Sequence, residues 1–384
     1  MSRFTLKAGA LAANLSLARK WAPNGARVRA MVKAKAYGHG LDPLINVFVE
    51  HSDELGVATL EEGLEIRSCL ERDFPIFVMS RAKDLEHPAT LEALRRACLV
   101  PAISSLDELR LLLDRLGTST GIQIELKLDT GMGRLGIQED EVPELLPLLN
   151  ANLNLQVTGI LTHFASSDEE DLEATWAQER CFRRMVDQFP SDVVKAASLH
   201  SCNSGALIQR SLGHRGIAKA TQIVRPGVML YGAAPSSFLQ RSPSGQQLTP
   251  VGRWTTRVLE VRNVQPGRTV GYGGAWRVEG EKPARVAVLA VGYADGFRRV
   301  LGNRGRVLIR GGSFPVIGRV SMDLISVLVD GRIRVGDEAV LLGSQKGECG
   351  ADTISAWELS SLCDTIPYEI WTSISGRVDR KVGH

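Results

Sequence analysis

Before residue 233 the chain repeats one pattern: a short β-rich run followed by a helical stretch. Candidate strands are RVRAMVKA (27–34), ELGVAT (54–59), PIFVMS (75–80), LVPAIS (99–104), IQIELKLDT (122–130), LQVTGILTHF (155–164), KAASLHSC (195–202) and IVRPGVMLYG (223–232). Periodic helices such as LDELRLLLDRLG and EDEVPELLPLLNAN lie between them. Such alternation implies right-handed crossovers onto a parallel sheet, and roughly eight units in about 230 residues predict a closed (β/α)₈ barrel. An open doubly wound sheet would show fewer strands and a G-x-G-x-x-G turn after the first, and no such turn is present.

The pattern then changes. AAPSSFLQRSPSGQQLTP (233–250) is rich in Pro, Ser, Gly and Gln and reads as a linker. Beyond it, TTRVLEVRNV, ARVAVLAVGYAD, RVLIRGGSFPVIGRVSMD, ISVLVDG and DEAVLLGS are β runs between turns. A short helix, ISAWELSSLCD, and a last strand, YEIWTSIS, follow. The expected organisation is a barrel over residues 1–235 and a mostly β domain over 245–384. At the N-terminus, Leu11, Leu15, Ala18 and Trp21 fall at helical spacing, so that segment reads as an amphipathic helix of the mature protein rather than a leader.

Composition narrows the function classes. A net charge of +3, with scattered basic residues, points to neither nucleic acid nor an anionic membrane as partner. No apolar run approaches the ~20 residues of a spanning helix. The six cysteines show no C-x-x-C and no zinc spacing, which suits free thiols in the cytoplasm and no metal site.

Chemistry in a (β/α)₈ barrel gathers at the C-terminal ends of the strands. Polar residues accumulate there: Lys33 and Lys35, the alternating Glu125, Lys127 and Asp129 with Arg134 beyond, Thr162–His163, His200, Asn203–Ser204, and Arg225 before Gly227. Singly these have dull explanations; His163 and His200 could be structural, and Asn203–Ser204 could cap a helix. Jointly they describe a polar mouth. A lysine there can form a Schiff base once burial or cationic neighbours lower its pKa. Small residues and hydroxyls near the last two loops suit a phosphate. Lysine and phosphate together point to pyridoxal 5'-phosphate, and an aldolase using a substrate Schiff base fits the same facts.

The motifs VKAKAYGHG, KLDTGMGRLG, GILTHFASSDE, HSCNSGAL, VRPGVMLYG, VGYGGAW, VGYADG, IGRVSMD and TIPYEI run in this order along nearly the whole chain. In them the sequence resembles the alanine racemase family, pyridoxal-phosphate enzymes that interconvert L- and D-alanine as homodimers with a barrel and a β domain. The resemblance implies Lys33 as the Schiff-base lysine. It implies Tyr37, Ser204, Gly227, Val228 and Tyr368 around the cofactor phosphate, with His163 and Asn203 also at the cofactor, and Arg225 facing the pyridine nitrogen. Lys127 matches a lysine often carbamylated in the family, which gives Arg134 an anionic partner; Arg134 matches a contact of the substrate carboxylate. Tyr272 and Met322 match residues that reach the partner subunit's site.

Racemisation removes a Cα proton from one face and returns one to the other, so the resemblance implies two bases, Lys33 and Tyr272 of the partner subunit. A phenol with a pKa of about 10 needs cationic or hydrogen-bonding help to act as a base, and His163 is the family's candidate for that. Arginine does not give up its proton, so Arg225 would leave the pyridine nitrogen unprotonated and the cofactor a weaker electron sink. Ser321, Pro226 and Pro367 depart from common family residues. The rival readings are a broader amino-acid racemase, a decarboxylase of the same fold, which would carry an acid opposite the pyridine nitrogen, and a barrel-only cofactor carrier.

Overall fold

The computed structural model describes residues 2–70, 74–79, 88–116, 121–150 and 154–383. Met1, Ser80, Gly117, Ala151, Asn152 and His384, which end elements or domains expected from the sequence, lie outside the described residues. The chain forms two compact units, each discontinuous in sequence: Leu11–Ala36 with Ile45–Thr249, and Met1–Ala10 with Tyr37–Leu44 and Pro250–His384. The first ten residues and a short segment after residue 36 thus group with the C-terminal unit, where the sequence reading had 1–235 as one block. The strand β1 (Arg3–Leu6) explains the first part: it pairs antiparallel with one strand of that unit and parallel with another.

The barrel unit contains β2 (Arg27–Met31), β3 (Glu54–Val57), β4 (Ile76–Val78), β5 (Leu99–Ile103), β6 (Ile122–Lys127), β7 (Leu155–Leu161), β8 (Ser198–His200) and β9 (Ile223–Val224). They form an eight-stranded sheet in the order β8-β7-β6-β5-β4-β3-β2-β9, with every pairing parallel. Backbone bonds from Gln222 N to Leu199 O (2.7 Å) and Arg225 N to Cys202 O (2.8 Å) close β9 onto β8. The expected eight-stranded barrel is therefore present. Its strands are largely buried on both faces because each is covered by helices outside and packed side chains within; all four residues of β3 are buried. The helices show one apolar stripe each: Leu106–Leu116 buries Leu106, Leu109, Leu112 and Leu116. The N-terminal helix, Ala8–Trp21, buries the expected Leu11, Leu15, Ala18 and Trp21.

The barrel interior also holds charge, and glycine makes room for it. A Cβ on Gly159 would lie 2.7 Å from the Glu125 carboxyl carbon. One residue of β7 bulges where Ile124 pairs Val157 and Glu125 pairs Gly159, which brings the glycine opposite Glu125.

In the second unit, β10 (Gly252–Val264), β11 (Thr269–Val270), β12 (Trp276–Arg277), β13 (Ala284–Leu289), β14 (Arg306–Ile309), β15 (Gly312–Ile317), β16 (Ile325–Leu328), β17 (Glu338–Gly347), β18 (Gly350–Ile354) and β19 (Asp379–Val382) follow in sequence. The main sheet runs β18-β17-β14-β15-β16-β13-β10-β1-β19, and an additional β17–β10 pairing closes six of these strands into a ring. The antiparallel β character expected from the sequence holds, and so does the helix Ala356–Leu362.

Two expectations are corrected. YEIWTSIS is no strand; Pro367–Thr372 is a helix with Pro367 in its first turn and Ile370 and Trp371 buried. Proline preset for a helix start and one buried face outweigh the β preference of Ile, Trp and Thr. The linker 233–250 is structured too: Ser236 Oγ accepts from Leu239 N to cap the helix Ser237–Arg241, and a 3₁₀ turn follows at Gly245–Gln247. Its Ser and Gln side chains serve local hydrogen bonds rather than solvent. Among the described residues, no helix is long and apolar enough to cross a membrane.

Candidate active site

The strand expected to run through Ala34 stops at Met31. Ala34, Lys35, Ala36 and Tyr37 all have φ between 52° and 55°, a left-handed helical turn built from L-residues. Each such residue costs roughly 1–2 kcal/mol, so the surroundings must hold the turn. Val32 N donates to Gly56 O, and Ala36 N donates to Val32 O, both at 2.8 Å. The turn separates two lysines that the sequence put on one face: Lys33 is half-buried and Lys35 exposed. Burial and then the Arg134 guanidinium hold the Lys33 amine below the ordinary lysine range, while the Glu62 carboxylate pulls the other way.

A chain of buried polar groups crosses the barrel. The Arg29 guanidinium donates to both oxygens of Glu125 (2.8 and 2.6 Å) and to Glu54 Oε2 (2.6 Å). Glu125 Oε2 lies 3.0 Å from His200 Nε2, and His200 Nδ1 lies 2.6 Å from Arg225 Nη1. A guanidinium only donates, so His200 Nδ1 is the acceptor and the ring proton sits on Nε2, facing Glu125. Burial lowers the His200 pKa to about 3 against the pull of Glu125, and the imidazole is neutral. Arg225 also donates to His200 O (2.9 Å) and Thr162 O (2.6 Å). Its buried Nε has no partner among the described residues. Burial lowers Arg225 to about 10, which leaves it charged at neutral pH.

Asp129 does not continue the face of Glu125 and Lys127. Its Oδ1 accepts from Gly131, Met132 and Gly133 N–H (2.9, 2.9 and 3.1 Å) and so shapes the loop that carries Arg134. Burial works against the Asp129 charge, but these N–H groups prevail and keep its carboxyl below the usual range. Lys127 is lowered to about 8 by burial and then by Arg134, Arg225 and Lys33. The same surroundings lower His163 to about 3, burial first and then the four cations. His163 Nδ1 is buried without a hydrogen-bond partner among the described residues. Any help it gives a phenol is therefore by hydrogen bonding and not by charge.

At the adjoining strand ends, Asn203 caps the helix Ser204–Ser211: its Oδ1 accepts from Ala206 N (3.0 Å) and Ser167 Oγ (2.7 Å). The Asn203 side chain is thus committed to the cap. Ser204 Oγ accepts from Gly227 N at 2.8 Å, which ties this helix start to the 3₁₀ turn Val228–Tyr231. Two sets of helix-start N–H groups side by side favour an anion.

In the second unit, the Tyr37 and Tyr368 rings lie 5.9 Å apart between centroids. Three motifs far apart in sequence also meet one another within this unit. Tyr293 N donates to Ser321 O and Ala294 N to Met322 O, both 3.0 Å. A Cβ on Gly292 would fall 2.2 Å from Met322 O, which the missing side chain permits. Asn303 joins the third motif, donating to Ala275 O (2.9 Å) and accepting from Gly318 N (2.6 Å). Tyr272 and Met322 are 70% and 53% exposed, so neither side chain is used by its own unit's core.

Sequence reasoning missed Arg29, Glu54 and Glu62. Arg29 and Glu54 read as ordinary charges in short strands, and their interior place shows only in the ion pairs with Glu125 and with each other. Glu62 was legible only as the last residue of Thr-x-x-Glu, a helix-start signature.

Comparison with known proteins gives one consistent result. The family models for the alanine racemase N-terminal and C-terminal domains match residues 6–235 and 251–382. An alanine racemase of Halothermothrix orenii is 37% identical over 361 residues, covering 92% of this chain and 89% of its own. The crystal structure of alanine racemase from Bacillus anthracis with bound L-Ala-P superposes with a TM-score of 0.86 at 26% identity, over 98% of this chain and 93% of that one. The Bartonella henselae alanine racemase structure, with covalently bound pyridoxal phosphate, gives a TM-score of 0.83 at 25% identity over 99% and 98%.

Proposed function

The chain belongs to the alanine racemase family, isomerases that racemise alanine, and we propose that it does so with pyridoxal 5'-phosphate and two bases. The observation that carries the cofactor reading is Arg225: a charged, buried guanidinium held on one side by His200 and Thr162, with its Nε–H unpaired among the described residues. A ring nitrogen acting only as acceptor satisfies that atom. The rest of the site fits as well: Lys33 offers an amine of lowered pKa, Ser204 and Val228 offer N–H groups to a phosphate, and Gly227, whose own N–H is held by Ser204 Oγ, fixes the turn between them. Tyr37 and Tyr368 are the further phosphate contacts in this reading, and His163 and Asn203 line the cofactor.

Pyridoxal phosphate, when bound, supplies the electron withdrawal that acidifies the alanine Cα–H. Lys33 Nζ anchors the cofactor and moves the Cα proton on one face. Tyr272 Oη of the partner subunit moves it on the other, so two copies of the chain share each site. The exposure of Tyr272, Tyr293, Met322 and Leu324 supports a homodimer through that face. Arg134 binds the substrate carboxylate, and Met322 borders the substrate. Lys127, whose pKa of about 8 leaves a larger neutral fraction at physiological pH than an ordinary lysine has, can take up CO₂ as a carbamate and so pair with Arg134. Among the described residues, no carboxylate forms an ion pair with Arg134 otherwise. The enzyme would act in the cytoplasm and supply D-alanine for peptidoglycan. An acid at position 225 would favour a decarboxylase; Arg225 favours racemisation.

The test is racemisation of L- and D-alanine by wild type, Lys33→Ala and Tyr272→Phe. Lys33→Ala is expected to lose the visible absorbance of bound cofactor and at least about 10³-fold in rate. Tyr272→Phe keeps the absorbance and loses most turnover; normal turnover in both directions would refute the two-base mechanism. Mixing the two variants should restore part of the activity if sites combine subunits.

A further inference from the structure

Glu62 is the first-turn acid of the helix Leu60–Cys69, whose N-cap Thr59 accepts from Glu62 N. Its carboxylate does not turn back on its own helix alone. Oε2 accepts from Ala58 N (2.8 Å), and Oε1 reaches across to accept from Ala34 N (2.7 Å). One carboxylate thus spans the ends of two neighbouring barrel strands. Ala34 is the first residue of the left-handed turn and directly follows Lys33. With Val32 N on Gly56 O, the bond from Glu62 brackets Lys33 by main-chain bonds on both sides. The groups that bear on the Lys33 amine are Lys127, Arg134 and His163, from the ends of β6 and β7 and the loop beyond β6, and Glu62 is the carboxylate among them.

We propose that Glu62 is a positioning residue for Lys33: its carboxylate clamps Ala34 N–H and Ala58 N–H together, holds the strained turn in place and sets the direction and charge of the amine. This rests on the assignment of Lys33 as the cofactor-anchoring lysine. An amide cannot replace the carboxylate, because its NH₂ end would face one of the two N–H donors. An aspartate is one methylene too short to span both.

The test uses the full-length apoprotein of wild type, Glu62→Gln and Glu62→Asp, with Glu65→Gln, an exposed acid on the same helix, as control. Amide hydrogen exchange at Ala34 and Ala58 is expected to accelerate at least about tenfold in both Glu62 variants, as loss of a charge-assisted bond predicts. Capture of added pyridoxal phosphate, followed by its visible absorbance, should slow by a similar factor. Its pH dependence should move to lower pH in Glu62→Gln, because loss of the carboxylate disfavours the protonated amine. Glu65→Gln should behave as wild type. Unchanged exchange at Ala34, or acceleration throughout the helix with unchanged capture and pH dependence, would overturn the proposal. If wild type itself binds no pyridoxal phosphate, the cofactor reading fails, and exchange at Ala34 alone then decides on the clamp.

Discussion

The barrel contains buried charge in two places, and the two are treated in opposite ways. In the interior, Arg29 meets two carboxylates. Burial pulls Arg29 down, but Glu125 and Glu54 outweigh it and hold the guanidinium above the ordinary range; burial pushes Glu125 up, but Arg29 and His200 hold it well below. At the mouth, Lys33, Lys127, Arg134 and Arg225 crowd together, and among them Lys33, Lys127 and Arg225 are pushed down. Where carboxylates match the cations, burial yields a brace that remains charged. Where they do not, it yields neutralisable amines and room for an anion. A buried charge is therefore informative through its sum with its neighbours, and the unmatched end is the one that carries the proposed site.

The largest effect should come from breaking the balanced end. Glu125→Gln breaks the two-oxygen pair with Arg29, leaves Glu54 as the guanidinium's one carboxylate, and should cost about 3 kcal/mol of stability in urea unfolding. The wild type carries the matching pH signature. Because the Glu125 carboxyl titrates lower in the folded chain than its ordinary 4.5, its stabilisation is complete above that pH and drains away as the pH falls towards the folded value.

Removing a cation from the unmatched end should do the reverse. Arg134→Gln raises the pKa of Lys33, Lys127 and His163 together, because each loses a cation that disfavours its protonated form. Imidazole titration by NMR and the pH dependence of pyridoxal phosphate capture read this out, and no shift in either would mean that Arg134 does not govern the mouth. The smallest effect is on the anion itself. Inorganic phosphate should stabilise the apoprotein by about 1 kcal/mol at about five times its Kd, measured as a rise in Tm. Ser204→Ala should lessen that gain by loosening the Gly227 N–H, whereas Glu125→Gln should leave it in place.

The strand–helix alternation made the barrel legible, because strands covered on both faces must be apolar and their helices must carry one stripe. Lys33, Lys127, His163, Ser204 and Arg225 were legible as polar residues at strand ends, although their roles came from resemblance. Three features escaped for separate physical reasons. The turn at 34–37 is held by bonds from distant residues and uses Ala, Lys and Tyr, none of which announces positive φ. The helix at 367–372 was hidden behind β-prone side chains whose burial decided the matter. Glu125 lies inside because Gly159, far off in sequence, vacates the space its carboxyl fills, as Gly56 does for the Met31 sulfur, which a Cβ there would meet at 2.4 Å.

The turn after Lys33 has a consequence in the language of chirality. Ala34, Lys35 and Ala36, at φ and ψ near +50°, adopt the mirror image of the ordinary right-handed helix, the conformation in which a D-residue is at rest. The family's own product, D-alanine, would therefore fit positions 34 and 36 without the strain that L-alanine bears there. A chain that interconverts the two hands of alanine keeps, beside the lysine assigned to that work, two L-alanines in the backbone shape that suits the other hand.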